Sequence, residues 1–289
     1  MTDDRSRSRL ALAEPAAPPY AAGARWRDLG PDPARGGGPG TLVLVAHGTR
    51  DPAGEAVLAA LADRVRAARP GHRVELAFLE ISSPLLADLP ARLGDPVVVV
   101  PLLLAAGYHV RVDLPGVIAE TRPGTLVARP LGPHPLLGAV LARRLAAAGL
   151  RTADAVILGA AGSSDPRALE DVRAAARLLS VRLARPVTAA FLSAGGPTVP
   201  EAIEALRRGP APRVAVASYL LAPGFFQRRL ESCGADLVSA PLGSDRDLAT
   251  LIWARHDEAL AAAGLPAACG ADDAAAAAQR SLSPSRRRR

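Results

Sequence analysis

VVVVPLLLAAGYHV (residues 97–110) and VAVASYLLAPGFFQ (residues 214–227) are nearly the same phrase written twice. Each opens on an apolar run of the kind that forms a strand buried on both faces of a parallel sheet. They differ where the first has His109 and the second has Phe226. Core packing asks for no imidazole at the mouth of a strand, so the question is what His109 does.

The doubling extends outward from these stretches. TLVLVAHGTRDP (41–52) is mirrored by DAVILGAAGSSDP (154–166), ELAFLEISSP (75–84) by TAAFLSAGGP (188–197), and VARPLGPHPLL (127–137) by VSAPLGSDRDL (238–248). Helical spacing fills the gaps. AGEAVLAALADRVRAARP aligns Val57, Leu61, Val65 and Ala68 and stops at Pro70; SPLLADLPARLG predicts a short helix interrupted at Pro90. VDLPGVIAETRP and HPLLGAVLARRLAAAG predict two more. Strand and helix in alternation predict an α/β fold, here two tandem flavodoxin-like parallel-sheet domains related by internal duplication. The expected organisation is an N-terminal domain over 41–150 carrying the site and a degenerate C-terminal domain over 151–265. Residues 1–40 and the Arg-rich stretch 266–289 show no period and read as disordered extensions.

Composition narrows the class. Hydrophobic residues make up 49% of the 289 but aromatics only 3%, so the core must be built from Leu, Val, Ile and Ala. Part of the net charge of +7 belongs to the two extensions, and the mild excess left between them argues against a nucleic-acid partner. Cys233 and Cys269 cannot form a disulfide framework and have no zinc-ligand spacing. LALAEPAAPPYAA is broken by Glu14 and its prolines, so it fails as a signal-peptide segment, and no run suits a membrane helix. The expected setting is cytoplasmic, with no membrane partner.

The histidines follow the strands. His47 comes directly after the first and His109 soon after the third, while Glu80 closes the second. In a 2-1-3-4 sheet the first and third strands are neighbours, and ligands bind beyond their carboxyl ends. Two imidazoles and a carboxylate with open positions suit a borderline divalent metal such as Fe2+, Co2+, Ni2+ or Zn2+. The same groups can also act as bases, since imidazole titrates near ~6.5. His134 follows the fourth strand, whereas His72 and His256 read as structural or solvated. The second copy is a control: Ala161, Ser193, Phe226 and Asp245 stand where the first has His47, Glu80, His109 and His134. One copy keeps the chemistry and the other keeps the architecture.

AHGTRDP (46–52), FLE (78–80), VVPLLLAAGYHVRVDLP (99–115) and RPLGPHPLL closely resemble the sirohydrochlorin chelatases, the cobalto- or ferrochelatases of tetrapyrrole biosynthesis. The resemblance runs over about residues 41–262, with the motifs in order. Short members of that family pair two identical subunits, and long members fuse two copies, as here. The resemblance implies that His47 and His109 are the metal-binding and catalytic pair, with Glu80 a supporting ligand or proton acceptor. It implies no ATP and no organic cofactor, the divalent metal (Fe2+ or Co2+) being a substrate beside sirohydrochlorin. The loss of every matching group in the second copy implies one site per chain, in a cleft between the halves, and halves that can satisfy each other favour a monomer. Arg50, Arg111 and Arg129 lie near the site in sequence and are the expected partners of the substrate's carboxylates, which guanidinium forks suit. A non-catalytic carrier of metal or tetrapyrrole, using the same histidines, is the alternative.

Overall fold

The computed structural model describes residues 40–89, 93–107, 114–210 and 213–266. The extensions expected to be disordered therefore lie almost wholly outside the described residues. The first repeat runs β1 (Thr41–Ala46), α1 (Pro52–Ala68), β2 (Arg73–Phe78), β3 (Val97–Pro101), α2 (Leu114–Thr121), β4 (Leu126–Val127) and α3 (Pro135–Ala147). The second runs β5 (Ala155–Ala160), α4 (Pro166–Leu183), β6 (Val187–Phe191), α5 (Val199–Arg207), β7 (Val214–Ser218), α6 (Phe225–Glu231), β8 (Leu237–Val238) and α7 (Arg246–Ala262). Both sheets are parallel, ordered β2-β1-β3-β4 and β6-β5-β7-β8. This is the order that brings the ends of the first and third strands together.

Alternation along the strands builds the layers. Leu42 and Leu44 of β1 face a core shared by both repeats, which also holds Leu61 of α1, Leu141 of α3, Leu179 of α4 and Leu251 of α7. Val43 and Val45 face the opposite way, onto Leu114 and Ile118 of α2. Four helices thus lie between the two sheets. The last helix of each repeat reaches across: α3 packs on β7 and α7 on β3 and β4. The exchange is locked by matching arginines. Arg144 of α3 donates to the Leu242 carbonyl at 2.9 Å, and Arg255 of α7 donates to the Pro130 carbonyl at 2.9 Å. Arg69, after α1, forms a forked pair with Asp257 at 2.8 and 2.5 Å.

Helix starts follow the local sequence. Asp51 and Asp165 each accept an N–H of the following helix, with a proline in its first turn. One expectation differs from the structure. Within SPLLADLPARLG the described residues form a single 3-10 turn, Leu86–Asp88, and Leu89 leaves the helical region with φ −58° and ψ 119°. A residue before proline is pushed from the helical region, and Pro90 follows Leu89. The matching segment in the second repeat has its proline in the first turn and a Thr198–Glu201 capping box, and there α5 forms.

Candidate metal site and the cleft between the repeats

β1 and β2 run in register to Ala46 and Phe78, and their pairing continues past the strands. The Leu79 N–H donates to the Ala46 carbonyl at 2.9 Å and the Glu80 N–H to the His47 carbonyl at 3.0 Å. This brings the two side chains together, with His47 Nε2 3.1 Å from Glu80 Oε1. The side chains are 42% and 57% exposed, so the pair adds little to stability. What it offers is a nitrogen and a carboxylate open to solvent on adjoining strand ends.

Gly48 permits that approach. Its φ is +109°, and a Cβ there would stand 1.8 Å from the Glu80 carbonyl oxygen. Ser82, buried, then clamps the loop, its Oγ accepting the Thr49 N–H at 3.1 Å and donating to the Thr49 carbonyl at 3.0 Å. Asp51 completes the turn into α1 and pairs with Arg228 from the second repeat. That guanidinium holds the Asp51 carboxyl below its ordinary range. Neither Ser82 nor Arg228 stood out in the sequence, because each acts through residues distant along the chain.

His47 of the pair lines a cleft of about 960 Å³ between the repeats. His47, Gly48, Thr49 and Arg50 line one side, with Leu102–Ala105 beside them; Ala161–Ser164 and Leu220–Arg228 line the other. The walls are mostly apolar, with Arg50 and Arg228 as the cations among them. Such a cleft suits a largely apolar ligand that carries anionic groups.

His109 and Arg111 lie outside the described residues. Among the described residues no group of three or more His, Cys, Asp or Glu side chains is poised to hold a metal; His47 and Glu80 make two. Arg50 stands at the cleft, but Arg129 does not line it and pairs with Glu258 of α7 at 2.9 Å. His134 is the N-cap of α3, its Nδ1 accepting the Leu136 N–H at 3.2 Å. Burial, then the nearby Arg255, holds its pKa below the ordinary imidazole value, which keeps that lone pair available. His72 and His256 pack edge-on against Trp253, and His256 contacts Asp257 at 2.9 Å.

The second repeat keeps the frame and lacks the groups. Gly162 has a φ of +97°, and a Cβ there would stand 2.4 Å from the Ala194 carbonyl oxygen, as at Gly48. Ser193, the match of Glu80, folds back to donate to the Ala161 carbonyl at 2.6 Å. Phe226 stacks edge-on with Phe225 beside the cleft. Asp245, the match of His134, caps α7 as His134 caps α3.

Known proteins resemble the chain over both repeats. The CbiX family profile matches residues 41–148 and again residues 155–259. A sirohydrochlorin cobaltochelatase of Priestia megaterium is 29% identical over 212 residues, which is 66% of this chain and 67% of that protein. A sirohydrochlorin ferrochelatase of Bacillus subtilis is 27% identical over 201 residues, 66% of this chain and 77% of its own length. Among solved structures, SirB from Bacillus subtilis with Fe3+ matches with a TM-score of 0.67 at 23% identity, covering 78% of this chain and 97% of that one. That likeness is one of fold.

Proposed function

The chain belongs to the CbiX family, and from that premise we propose that it is a sirohydrochlorin chelatase. It inserts Fe2+ or Co2+ into the tetrapyrrole without ATP or an organic cofactor. The observation that carries this reading is the His47–Glu80 pair at 3.1 Å, whose His47 lines a cleft of about 960 Å³ between the repeats.

His47 and His109 hold the incoming ion with Glu80, as two neutral imidazoles and a carboxylate can. Coordination left open lets the ion pass to the ring nitrogens. Two of the four ring nitrogens carry protons, and each of these loses its proton as it binds the ion, so two protons leave per metal inserted. Glu80 and an imidazole freed of metal take them in turn and pass them to solvent, to which both described side chains are open. The apolar walls hold the macrocycle, and binding at its rim supplies the energy that bends it toward the ion. Arg50 and Arg111 hold rim carboxylates. Arg129, already paired with Glu258, reaches one only by giving up that partner.

The same reading places one site per chain, in the first repeat. It makes the protein a cytoplasmic monomer whose halves stand in for two subunits, with siroheme or cobalamin as the end product. The test is anaerobic. Sirohydrochlorin and Co2+ or Fe2+ are mixed with the protein, and the visible spectrum is followed against a no-enzyme control. Conversion of many equivalents per chain supports the chelatase. Conversion that stops at one equivalent overturns it in favour of a carrier.

A further inference from the structure

The two repeats are unlike each other at one further place. Residues 104–107 are the last described residues before His109, and two side chains of the second repeat bond to their backbone. Asp171 of α4 accepts the Ala106 N–H at 2.8 Å. Tyr219, just past β7, donates its hydroxyl to the Leu104 carbonyl at 3.0 Å. Tyr219 is buried, and burial, then the Asp171 charge, pushes its pKa well up, so the hydroxyl stays a donor at every working pH. Gly132 leaves room for this bond, since a Cβ there would stand 2.2 Å from the Leu104 carbonyl oxygen and 2.3 Å from the Tyr219 hydroxyl.

The duplication supplies the comparison. The counterpart of Ala106 is Pro223, which has no N–H, and the counterpart of Asp171 is Val57, which has no acceptor. The counterpart of Tyr219 is Leu102, which has no donor. The packing itself is repeated: Gly54 of α1 lies close to the Pro223 carbonyl, and Ala168 of α4 lies against Gly107. The Leu221 carbonyl, which matches that of Leu104, takes the N–H of Gly243 from its own repeat at 2.9 Å. Bonds from the other repeat are thus built on the side that leads to His109, and the side that leads to Phe226 lacks the groups to make them.

We propose that Asp171 and Tyr219 are positioning residues. They fix the backbone from which the chain departs toward His109, so the repeat without ligands serves the site of the other. This rests on the reading of His109 as a metal ligand in a chelatase. A bond from the hydroxyl of buried Tyr219 and a charge-assisted N–H bond are stiff anchors, and misplacement by about 1 Å can cost a hundredfold in rate.

The test compares Asp171→Ala, Asp171→Asn and Tyr219→Phe with the wild type, each confirmed folded by its thermal melt. Two quantities are measured: kcat and KM for anaerobic chelation, and Co2+ affinity without tetrapyrrole. Asp171→Ala should lower kcat about tenfold or more, with KM for sirohydrochlorin little changed, and should weaken Co2+ binding. Asp171→Asn keeps a carbonyl acceptor for the Ala106 N–H and should restore most of both. Tyr219→Phe should shift both in the same direction as Asp171→Ala. Wild-type kcat and Co2+ affinity in a folded Asp171→Ala would overturn the proposal, and so would equal impairment by Ala and Asn. If the wild type shows no turnover, the chelatase reading fails by itself. Co2+ affinity then still decides on positioning: loss in Ala with recovery in Asn upholds it, and no change overturns it.

Discussion

His47 Nε2 stands 3.1 Å from Glu80 Oε1 because the parallel pairing of β1 and β2 carries on past both strands, through a glycine that no residue with a Cβ can replace unstrained. The pair is exposed and of little structural worth, so its removal should separate chemistry from folding.

His47→Ala should therefore lose chelation by about a hundredfold or more, while its stability stays within about 0.5 kcal/mol of wild type. Glu80→Gln, which keeps the shape and removes the charge, should lower kcat in the same direction. Initial rates and urea unfolding on the same preparations check both. An unfolded His47→Ala would mean that the imidazole supports the fold.

Gly48→Ala and Gly162→Ala meet the same backbone problem in the two repeats, each with positive φ and a carbonyl in the way. Both should destabilise by about 1–3 kcal/mol. Only Gly48→Ala should also lower kcat of the folded protein, because only its carbonyl neighbour belongs to a residue of the site. Melting temperatures and rates measured together distinguish the two effects.

Arg50→Ala should raise KM for sirohydrochlorin several-fold with kcat nearly kept, as loss of rim binding does. Arg129→Ala should leave KM near wild type, since Arg129 is 72% exposed and occupied by Glu258. Its cost in stability should stay below about 1 kcal/mol. A rise in KM for Arg129→Ala equal to that for Arg50→Ala would mean that Arg129 releases Glu258 for substrate.

His72, His134 and His256 all have pKa values held below the ordinary imidazole value, in each case first by burial. At His256 the neighbouring Asp257 pulls the other way without offsetting burial. The unfolded chain therefore takes up protons near ~6.5 where the folded chain resists them. Stability from these residues is fully present above that pH and is lost as pH falls through the lower folded values. The urea midpoint should drop between about pH 7 and pH 5.5, above the range where carboxylates contribute. A flat profile would contradict it.

Much of this was legible in the sequence. Continuous apolar runs marked the strands, the repeated phrases marked the duplication, and the strand order followed from the fold class. His47 and Glu80 could be placed together because both follow strands that such a sheet sets side by side. What could not be read depends on how the repeats face each other. The crossing of α3 and α7, the Arg144 and Arg255 locks, the Ser82 clamp and the Asp171 contact join residues tens of positions apart and leave no periodic signal. Where a helix was expected over SPLLADLPARLG, the described residues stop at one 3-10 turn for a local reason, a proline that sits past the turn rather than in it.

The most direct measurement is the initial rate of anaerobic cobalt insertion by His109→Ala and Phe226→Ala beside the wild type. The two residues are counterparts in the repeats, and only one is assigned to the chemistry. At saturating sirohydrochlorin His109→Ala should fall below about one hundredth of the wild-type rate, while Phe226→Ala, which trims only a cleft wall, keeps a comparable kcat and shows its cost in KM. Full activity in His109→Ala, or equal loss in both, would contradict a single site built on the first repeat.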